Sequence, residues 1–462
     1  MLASHQRFYA TDYPKPGWAE QDPDIIFHAV VELIQLVQNE IKEPYVLQAV
    51  SFSSAMHSIM ALSVDGKPLT PAIIWADTRS SKEANELKDS ELGKQLHRET
   101  GTPIHPMSPL CKLIWMQKYD PVFNSAYKFV SIKEYVIYKM TGEFFVDYSI
   151  SSASGLLELQ SKKWHPLALQ VAGVSENQLS TPVSPAFTLN VMQSVRREFN
   201  LPDLKIVMGA SDGCLAQLGS NAMGEGDLTI TIGTSAAVRR AVKEIKDPNG
   251  KLFNYWLDEN SIISGGASNN GTVIVDWFNR EFDGTEKNLN AFVADALTVA
   301  PGCNGLLALP YLLGERAPIY NPDAKGVFFG FSVRHTPSHF RRALLEGICF
   351  EILSMVNSVE EIHGKSSRIF VSGGFTYSSE WVQLLSNILN RELIHAEAGD
   401  ASALGAAIIG FEALGQLLNI NRIEQSIFKP DDSHAHIYSA CFEEFQALYN
   451  SLEGLFSRHS SV

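Results

Sequence analysis

The apolar residues of this chain follow two alternating patterns. Short apolar runs bounded by glycine or polar residues are typical of buried strands, and apolar residues three or four positions apart are typical of helices. The clearest helix is predicted over residues 23–39, where Asp22 suits the N-cap and Pro23 the first turn. Its apolar stripe consists of Phe27, Val30, Val31, Ile34 and Val37. The repeated alternation of the two patterns predicts an α/β fold.

Several predicted strands of the first half end in polar segments. The predicted strand at about 45–52 is followed by the polar segment 53–57. The strand at about 71–75 is followed by 76–79, and the strand at about 204–209 by 210–213. In α/β sheets, ligands bind beyond the carboxyl ends of the strands. We therefore expect these polar segments to form walls of a ligand site.

The second half opens with a different arrangement of strands. The elements predicted there are a hairpin over 227–239 with a tight turn at Gly233-Thr234-Ser235, a strand from Arg368 into Gly373-Gly374, and helices over about 379–390 and 402–414. The last helix has a face of small residues suited to close packing. Further hairpin turns are predicted at 65–66 and 247–250.

The length of 462 residues suits two domains better than one core. The change of pattern near 221–227 predicts an N-terminal domain over 1–224 and a C-terminal domain over 225–462. With 45% hydrophobic and 19% charged residues, the composition is that of an ordinary soluble globular protein. No apolar run approaches the ~18–20 residues that a membrane-spanning helix needs, and the N-terminus lacks the pattern of a secretory signal.

Charge and cysteine usage narrow the class of partner. A formal net charge of −14 disfavours a nucleic-acid partner, because phosphate backbones require clustered lysine and arginine. The 5 cysteines are scattered and form no CxxC pair. This pattern predicts free thiols in a reducing cytoplasm and no zinc or other protein-built metal site.

Asp212 is the first residue with candidate chemistry. It follows an apolar strand and precedes a glycine, so it suits either the N-cap of the next helix or a catalytic base. Two interpretations also apply to the turn Gly233-Thr234-Ser235 and to the pair Gly373-Gly374: each suits either contacts with phosphate or an ordinary turn. Neither GxGxxG nor GxxxxGK[ST] occurs in the chain.

The remaining candidates lie on the other two polar segments and on a predicted helix. Met56 and His57 follow one strand, Trp75, Asp77 and Arg79 follow another, and Lys112 lies three residues before Trp115. Each has an ordinary interpretation. His57 suits a half-buried histidine, Asp77 and Arg79 suit a structural ion pair, and Lys112 suits packing against Trp115.

Taken together and in order, these segments resemble the FGGY family of carbohydrate kinases over nearly the whole chain. The stretches that carry the resemblance are GWAEQDPDIIF (17–27), SFSSAMHSIMALSVDGKPLTPAIIWADTR (51–79), GASDGCLAQLGSNAMGEGDLTITIGTSAAVR (209–239), GERAPIYNPDAKGVFFGFSVRHTPSHFRRALLEG (314–347), and VSGGFTYSSEWVQLLSNIL (371–389) with SALGAA (402–407). Within the family, segments 53–58 and 100–107 are most similar to those of members that phosphorylate gluconate.

The resemblance implies an α/β, actin- and hexokinase-like (ribonuclease H-like) fold of two domains with the active site in the cleft between them. It implies ATP and Mg²⁺ as cofactors, sugar on the first domain and nucleotide on the second, and it is compatible with a homodimer. The implied roles are the general base for Asp212, sugar contacts for Met56, His57, Trp75 and Asp77, phosphate contacts for Gly233, Thr234 and Ser235, and nucleotide contacts for Gly373, Gly374 and Ser378. On charge grounds, Arg79 and Lys112 are expected to meet the carboxylate of a sugar acid.

One departure from the family concerns the N-terminus. Family members begin with a β-hairpin that carries an Asp-Ile-Gly-Thr-Thr-like phosphate loop, whereas Met1-Leu2-Ala3 here matches the region after it. We expect a shortened form of a longer chain, because a missing strand would leave backbone groups unpaired. The expected reaction is phosphorylation of gluconate. The alternatives are a kinase for xylulose or ribulose, and a non-catalytic protein that binds a sugar acid or nucleotide.

Overall fold

The computed structural model describes residues 2–42, 44–247, 250–284, 287–396, 400–418 and 425–459. Strands and α-helices alternate through these ranges. The strands are β1 (Glu20–Gln21), β2 (Ala49–Ser54), β3 (Met60–Leu62), β4 (Ala72–Ile73), β5 (Lys128–Val130), β6 (Phe145–Asp147), β7 (Leu157–Glu158), β8 (Lys163–Trp164), β9 (Thr181–Val183), β10 (Thr188–Asn190), β11 (Lys205–Ser211), β12 (Asp227–Ile232), β13 (Ala236–Val242), β14 (Phe253–Trp256), β15 (Ile262–Ser268), β16 (Leu307–Leu309), β17 (Val327–Phe329), β18 (Arg368–Ser372), β19 (Leu393–Ala396) and β20 (Gln425–Phe428).

The helices interleave with these strands, which confirms the predicted α/β class. They are α1 (Pro23–Glu40), α2 (Ser81–Lys88), α3 (Glu91–Thr100), α4 (Pro109–Tyr119), α5 (Ile132–Thr141), α6 (Tyr148–Ser152), α7 (Pro166–Ala172), α8 (Gln193–Glu198), α9 (Asp212–Gly219), α10 (Thr272–Trp277), α11 (Leu289–Ala296), α12 (Pro337–His363), α13 (Ser379–Leu389), α14 (Ala401–Ala413) and α15 (Ala435–His459). No helix within the described ranges is long and apolar enough to cross a membrane.

The chain forms two compact units. The first is built from the described residues of Met1–Gly219, Lys243–Ile263 and Asp400–Ile420, and the second from those of Ser220–Val242, Ser264–Gly399 and Asn421–Val462. The first unit therefore includes two segments that follow the second unit's first strands along the chain.

The first unit contains a three-stranded sheet in the order β10-β11-β2. Strand β11 runs parallel to β2, and Ser211 lies opposite Ser54 at their carboxyl ends. The strand predicted from about residue 45 begins only at Ala49, because Tyr45 and Val46 are exposed. Strand β4 is short and pairs with β1 instead of joining this sheet.

Helix α1 forms as its sequence predicts. Oδ1 of Asp22 accepts hydrogen bonds from the backbone N–H groups of Asp24 at 2.9 Å and Ile25 at 3.1 Å. The stripe residues Phe27 and Val31 pack in the same core as Met208 of β11. Val30 and Val37 are only partly buried. This core supports the strand that leads to Asp212.

Helix α14 packs closely against α9, which confirms the role predicted for its small residues. A Cβ atom at Gly405 would lie 2.1 Å from the carbonyl oxygen of Leu215. A Cβ at Gly219 would lie 1.8 Å from the carbonyl oxygen of Ala401. Only glycine permits this approach, so α14 braces the helix that begins at Asp212.

The second unit contains a larger sheet in which β15, β13, β12, β18, β19 and β20 are successive neighbours. Strands β12 and β13 form the predicted hairpin around Gly233-Thr234-Ser235. Strand β18 runs parallel to β12, with Ser372 opposite Thr231. Of the predicted turn at 247–250, Pro248 and Asn249 lie outside the described residues.

Candidate functional site

The ends of β2 and β11 form one wall of a candidate site in the first unit. Because these strands are parallel neighbours, the segment after Ser54 and the segment after Ser211 leave the sheet at the same edge. The structure thus brings together Met56 and His57 from one predicted segment and Asp212 from another. The third segment follows β4, which pairs with β1 and does not belong to this sheet.

Lys112 connects the segment after β4 to the segment after β2. Its Nζ donates hydrogen bonds to the carbonyl oxygens of His57 and Ile74, each at 2.7 Å. The side chain is fully buried. Burial lowers the pKa of Lys112 to about 7, and the charge of Asp77 partly opposes this shift. The buried ammonium group therefore joins two of the predicted sugar-contacting segments through hydrogen bonds.

Asp77 and Arg79 form a buried network at the end of β4. Oδ2 of Asp77 accepts a hydrogen bond from the backbone N–H of Ala19 at 2.6 Å and lies 2.8 Å from the Arg79 guanidinium. The guanidinium also lies 2.6 Å from Glu20 and stacks 3.6 Å above the ring of Trp18. Two carboxylates and an aromatic ring thus hold Arg79 in place.

These contacts weigh against the predicted pairing of Lys112 or Arg79 with a substrate carboxylate. Lys112 has no exposed surface, and the Arg79 side chain is only 4% exposed. Both cations already bond to protein oxygens. Breaking those bonds would leave buried polar groups unpaired. Asp77 is also fully buried and already bonds to Ala19 and Arg79.

The other predicted sugar contacts differ in their exposure. His57 adopts a backbone φ of +69°, a region that non-glycine residues seldom occupy. Its Nδ1 lies 2.9 Å from the carbonyl oxygen of Ala153, and since a carbonyl only accepts, Nδ1 carries the hydrogen. Met56 is partly exposed, and Trp75 is exposed over 41% of its surface. Trp75 therefore offers an aromatic face to a ligand.

Asp212 is exposed and is the first residue of α9. The preceding residue, Ser211, supplies an N-capping contact, because its Oγ accepts a hydrogen bond from the backbone N–H of Cys214 at 3.4 Å. Oδ1 of Asp212 accepts from the adjacent N–H of Gly213 at 2.6 Å. The helix therefore has the Ser211 hydroxyl as a capping oxygen in addition to the Asp212 carboxylate. The Asp212 carboxylate is exposed directly after the carboxyl end of β11.

A group of buried residues that the sequence did not single out supports this junction. Ser149 Oγ lies 2.7 Å from Ser211 Oγ and accepts from the backbone N–H of Ser211 at 3.1 Å. Asp147 caps α6, which carries Ser149, and lies 2.7 Å from Nζ of Lys133. Asp147 directly precedes the polar start of α6, so the sequence alone could have indicated it as an N-cap. Nothing in the sequence indicated that Asp147 pairs with Lys133.

In the second unit, the two glycine-containing turns leave the sheet at the same edge. The parallel pairing of β12 and β18 puts Gly233-Thr234-Ser235 beside Gly373-Gly374. The first turn is fixed by its own Gly233 N–H, which donates to the carbonyl of Ser235 at 2.9 Å. Thr234 is exposed. The structure therefore places the two predicted nucleotide-contacting segments side by side, whereas their contact with phosphate stays a prediction.

Open space at two of these glycines suits a nucleotide. A Cβ atom at Gly374 would meet no atom within 4 Å, and one at Gly233 would meet only the Ser235 carbonyl at 3.9 Å. At Gly373, by contrast, a Cβ atom would lie 2.5 Å from the carbonyl oxygen of Ile232, so this glycine packs against the backbone. Ser378 is buried and accepts from the backbone N–H of Trp381 at 3.4 Å, so its hydroxyl caps α13.

The described residues also bear on Mg²⁺. They contain no group of 3 or more His, Cys, Asp or Glu side chains arranged to hold a metal ion. Mg²⁺ in phosphoryl-transfer enzymes is commonly held by one or two carboxylates together with substrate phosphates and water. A Mg²⁺ ion that entered with the nucleotide would therefore take its ligands mainly from phosphate oxygens and water.

Comparisons with known proteins find similarity over nearly the whole chain. Residues 1–219 match the N-terminal domain of the FGGY family of carbohydrate kinases, and residues 228–414 match its C-terminal domain. A gluconokinase from Bacillus licheniformis is 38% identical, and the alignment covers 97% of this chain and 89% of that protein.

Two solved structures from Lactobacillus acidophilus have the same fold. A ligand-bound xylulose kinase superimposes with a TM-score of 0.94 at 31% identity, covering 99% of this chain and 95% of that chain. A gluconate kinase superimposes with a TM-score of 0.93 at 30% identity, covering 99% and 94%.

Proposed function

Because this chain belongs to the FGGY family of carbohydrate kinases, we propose that it transfers the γ-phosphate of MgATP to D-gluconate, giving 6-phosphogluconate. The observation that carries the choice of substrate is the 38% identity to a gluconokinase over 97% of this chain. We propose a cytoplasmic site for the reaction, on the basis of the scattered cysteines.

Asp212 is the general base of this proposal. Its carboxylate accepts the proton of the terminal hydroxyl of gluconate as that oxygen attacks the γ-phosphorus in line. Its exposure at the strand edge and the capping oxygen supplied by Ser211 support the role. Rigid placement matters because phosphoryl transfer depends mainly on positioning and charge.

The segments after β2 and β4 form the sugar site of this proposal. Met56 and the exposed ring of Trp75 contact the polyol chain, whereas His57 is only 7% exposed and its Nδ1 is bonded to the Ala153 carbonyl. Lys112 and Arg79, with Asp77, hold those segments in position through buried contacts.

The nucleotide binds the second unit in this proposal. Backbone N–H groups and hydroxyls of Thr234 and Ser235 meet its phosphates, and the open space at Gly374 admits the nucleotide close to the backbone. When bound, Mg²⁺ offsets the negative charge of the phosphate oxygens. The proposed roles are accordingly sugar binding for the first unit and nucleotide binding for the second.

A coupled assay of ADP release across gluconate, other aldonic acids, xylulose and ribulose tests the substrate. We expect kcat/KM for gluconate to exceed that for either ketose by about tenfold or more, which is the net value of one good hydrogen bond. A preference for neutral ketoses would overturn the assignment.

A second candidate is a kinase for a ketose such as xylulose. The similarity to the L. acidophilus xylulose kinase and the engagement of Lys112 and Arg79 in protein contacts favour it. The same assay separates the two functions, because a ketose kinase needs no cation for a carboxylate.

A further inference from the structure

Two glutamate side chains face each other in the interior of the second unit. Glu315 follows Gly314 in the loop after β16, and Glu351 lies in the middle of α12. Each residue is 1% exposed. Two ionised carboxylates in such surroundings would repel each other and would lack solvation.

Hydrogen-bond donors surround Glu315. Its Oε2 accepts from Ser268 Oγ at 2.8 Å and from Asn270 Nδ2 at 2.7 Å. Its Oε1 accepts from the backbone N–H of Arg316 at 2.6 Å. These bonds satisfy an ionised carboxylate.

Glu351 has a different environment. Neither of its carboxyl oxygens receives a well-formed hydrogen bond within the described ranges, and its polar contacts are the Glu315 carboxyl and the Ser268 hydroxyl. The Ser268 hydroxyl already donates its hydrogen to Glu315. A proton on Glu351 resolves both problems, because it removes one charge and supplies an O–H donor to Glu315.

Glu315 is linked to the turn that contacts phosphate in the proposed function. Asn270, which it accepts from, also donates to the carbonyl of Gly314 at 2.8 Å. The next residues bond directly to the turn, since the Gly271 N–H donates to Thr234 O at 3.1 Å and the Thr272 N–H to Gly233 O at 2.7 Å. A Cβ at Gly271 would lie 2.3 Å from Gly233 O, so the two segments are in close contact.

We propose that Glu351 is a positioning residue, which shares one proton with Glu315 and so holds Asn270 and the Gly233-Thr234-Ser235 turn in the arrangement that binds the nucleotide phosphates. The proposal rests on the proposed function only for the nucleotide-binding role of that turn. Loss of the shared proton places two buried negative charges together, displaces Glu315 and loosens the turn.

The ionisable neighbours of the pair do not remove this conflict. Burial raises the pKa of Glu351 well above its usual range, and the carboxyl of Glu315 raises it further. Burial likewise raises the pKa of Glu315. The charge of Arg316 lowers the pKa of Glu351, but by less than burial and the Glu315 carboxyl raise it. Tyr311 and Tyr449 also face the pair, and burial raises the pKa of each, so both remain neutral where the glutamates titrate.

Calorimetric titration with the MgATP analogue that has an imido group between the β- and γ-phosphates tests the proposal without any sugar. We expect the affinity of the wild type to fall by about tenfold or more as pH rises through the range in which the pair loses its proton, since hydrogen bonds to a charged group are worth this much. In Glu351→Gln, a permanent N–H donor replaces the shared proton. The affinity of this variant should match that of the wild type at low pH and keep its value at high pH.

Glu360→Gln is the matched control. Glu360 is a buried glutamate on the same helix, but it bonds to Ser366 and Arg391 instead of another carboxyl. The pH dependence of its affinity should follow the wild type, which also accounts for titration of the analogue itself. Equal pH dependence in wild type and Glu351→Gln would overturn the proposal.

Infrared spectroscopy of the wild type gives a second test that needs no variant. A carbonyl band of a protonated carboxylic acid should disappear over the same pH range in which nucleotide affinity falls. If no such band titrates with the affinity, the proposal is wrong. Failure to phosphorylate gluconate would overturn the proposed function and leave this result standing.

Discussion

At the residue scale, Asp212 combines two properties that seldom coincide. It begins a helix, where backbone N–H groups favour a carboxylate, yet Ser211 also supplies a capping oxygen. The carboxylate is exposed at the edge where β2 and β11 end. These features suit a base that must reach a substrate hydroxyl and are not required of a helix cap.

Replacing Asp212 by Asn tests this role. We expect kcat to fall by ~10²–10⁴, the usual contribution of a general base, because the amide cannot accept the proton. Affinity for the imido analogue of MgATP should change little. Both quantities follow from steady-state kinetics and calorimetric titration.

Asp203→Asn is a suitable control for that experiment. Asp203 is an exposed carboxylate 2.8 Å from Arg196, away from the strand edge that carries Asp212. Its replacement should leave kcat near that of the wild type. If Asp212→Asn kept most of its turnover, another group would have to be the base.

At the scale of elements, the junction of β11 and α9 depends on α6. Asp147 caps α6 and is paired with Lys133, and both side chains are almost completely buried. Ser149, in the first turn of α6, accepts from Ser211 N–H and contacts its hydroxyl. The position of Asp212 is thus determined by a second element and not by its own helix alone.

Ser149→Ala should lower kcat by about tenfold, because it removes contacts that orient the strand end and leaves the buried N–H of Ser211 unpaired. Ser149→Thr, which keeps the hydroxyl, should restore much of the activity. Ser161→Ala is the control, since Ser161 is exposed and its hydroxyl bonds only within its own turn, to Glu158 and to the backbone N–H of Lys163.

A double-mutant cycle separates positioning from general destabilisation. If Ser149 acts through Asp212, adding Ser149→Ala to Asp212→Asn should cause no further loss of kcat. Independent losses that add together would contradict the link between α6 and the base.

At the scale of the whole molecule, buried glutamates make folding stability depend on pH in opposite directions. The pKa of Glu351 is raised by burial and by Glu315, so the folded protein keeps a proton that the unfolded chain loses. Stability from this group therefore falls as pH rises above the ordinary glutamate pKa of about 4.3 towards the raised value. Burial opposes a low pKa at Glu360, but hydrogen bonds from Ser366, Lys365 and Arg391 lower it.

Thermal midpoints measured across pH should show both signs. Glu351→Gln should gain in Tm relative to the wild type as pH rises from about 4.3, because Gln carries no titrating proton. Glu360→Gln should lose Tm relative to the wild type as pH rises towards about 4.3, because the folded wild type ionises Glu360 before the unfolded chain does, and this difference should stay constant at higher pH. Parallel curves for all three proteins would show that these groups do not titrate as described.

Local patterns were enough for many of the elements. Helix α1, the hairpin of β12 and β13, and the small-residue face of α14 formed where the sequence predicted them. Capping, turn formation and helical periodicity depend on residues close together in the chain. The start of β2 was misplaced, since Tyr45 and Val46 are apolar but exposed.

The candidate site was predictable as a set of residues and not as a set of contacts. Residue type and motif order pointed to Asp212, His57 and Trp75. They also pointed to Lys112 and Arg79 as free cations, whereas the structure engages both with protein oxygens. Charge alone does not show whether a cation faces a cleft or the interior.

The sequence by itself determined the fold class, the family and the elements, because these follow from periodicity and from motifs read in order. The tertiary structure decided which groups satisfy one another. The bond from Lys112 to His57, the contact of Ser149 with Ser211 and the facing pair Glu315 and Glu351 each join residues far apart in the chain. Burial makes such contacts obligatory, since an unpaired polar group in the interior costs free energy that only a partner brought there by the fold can offset.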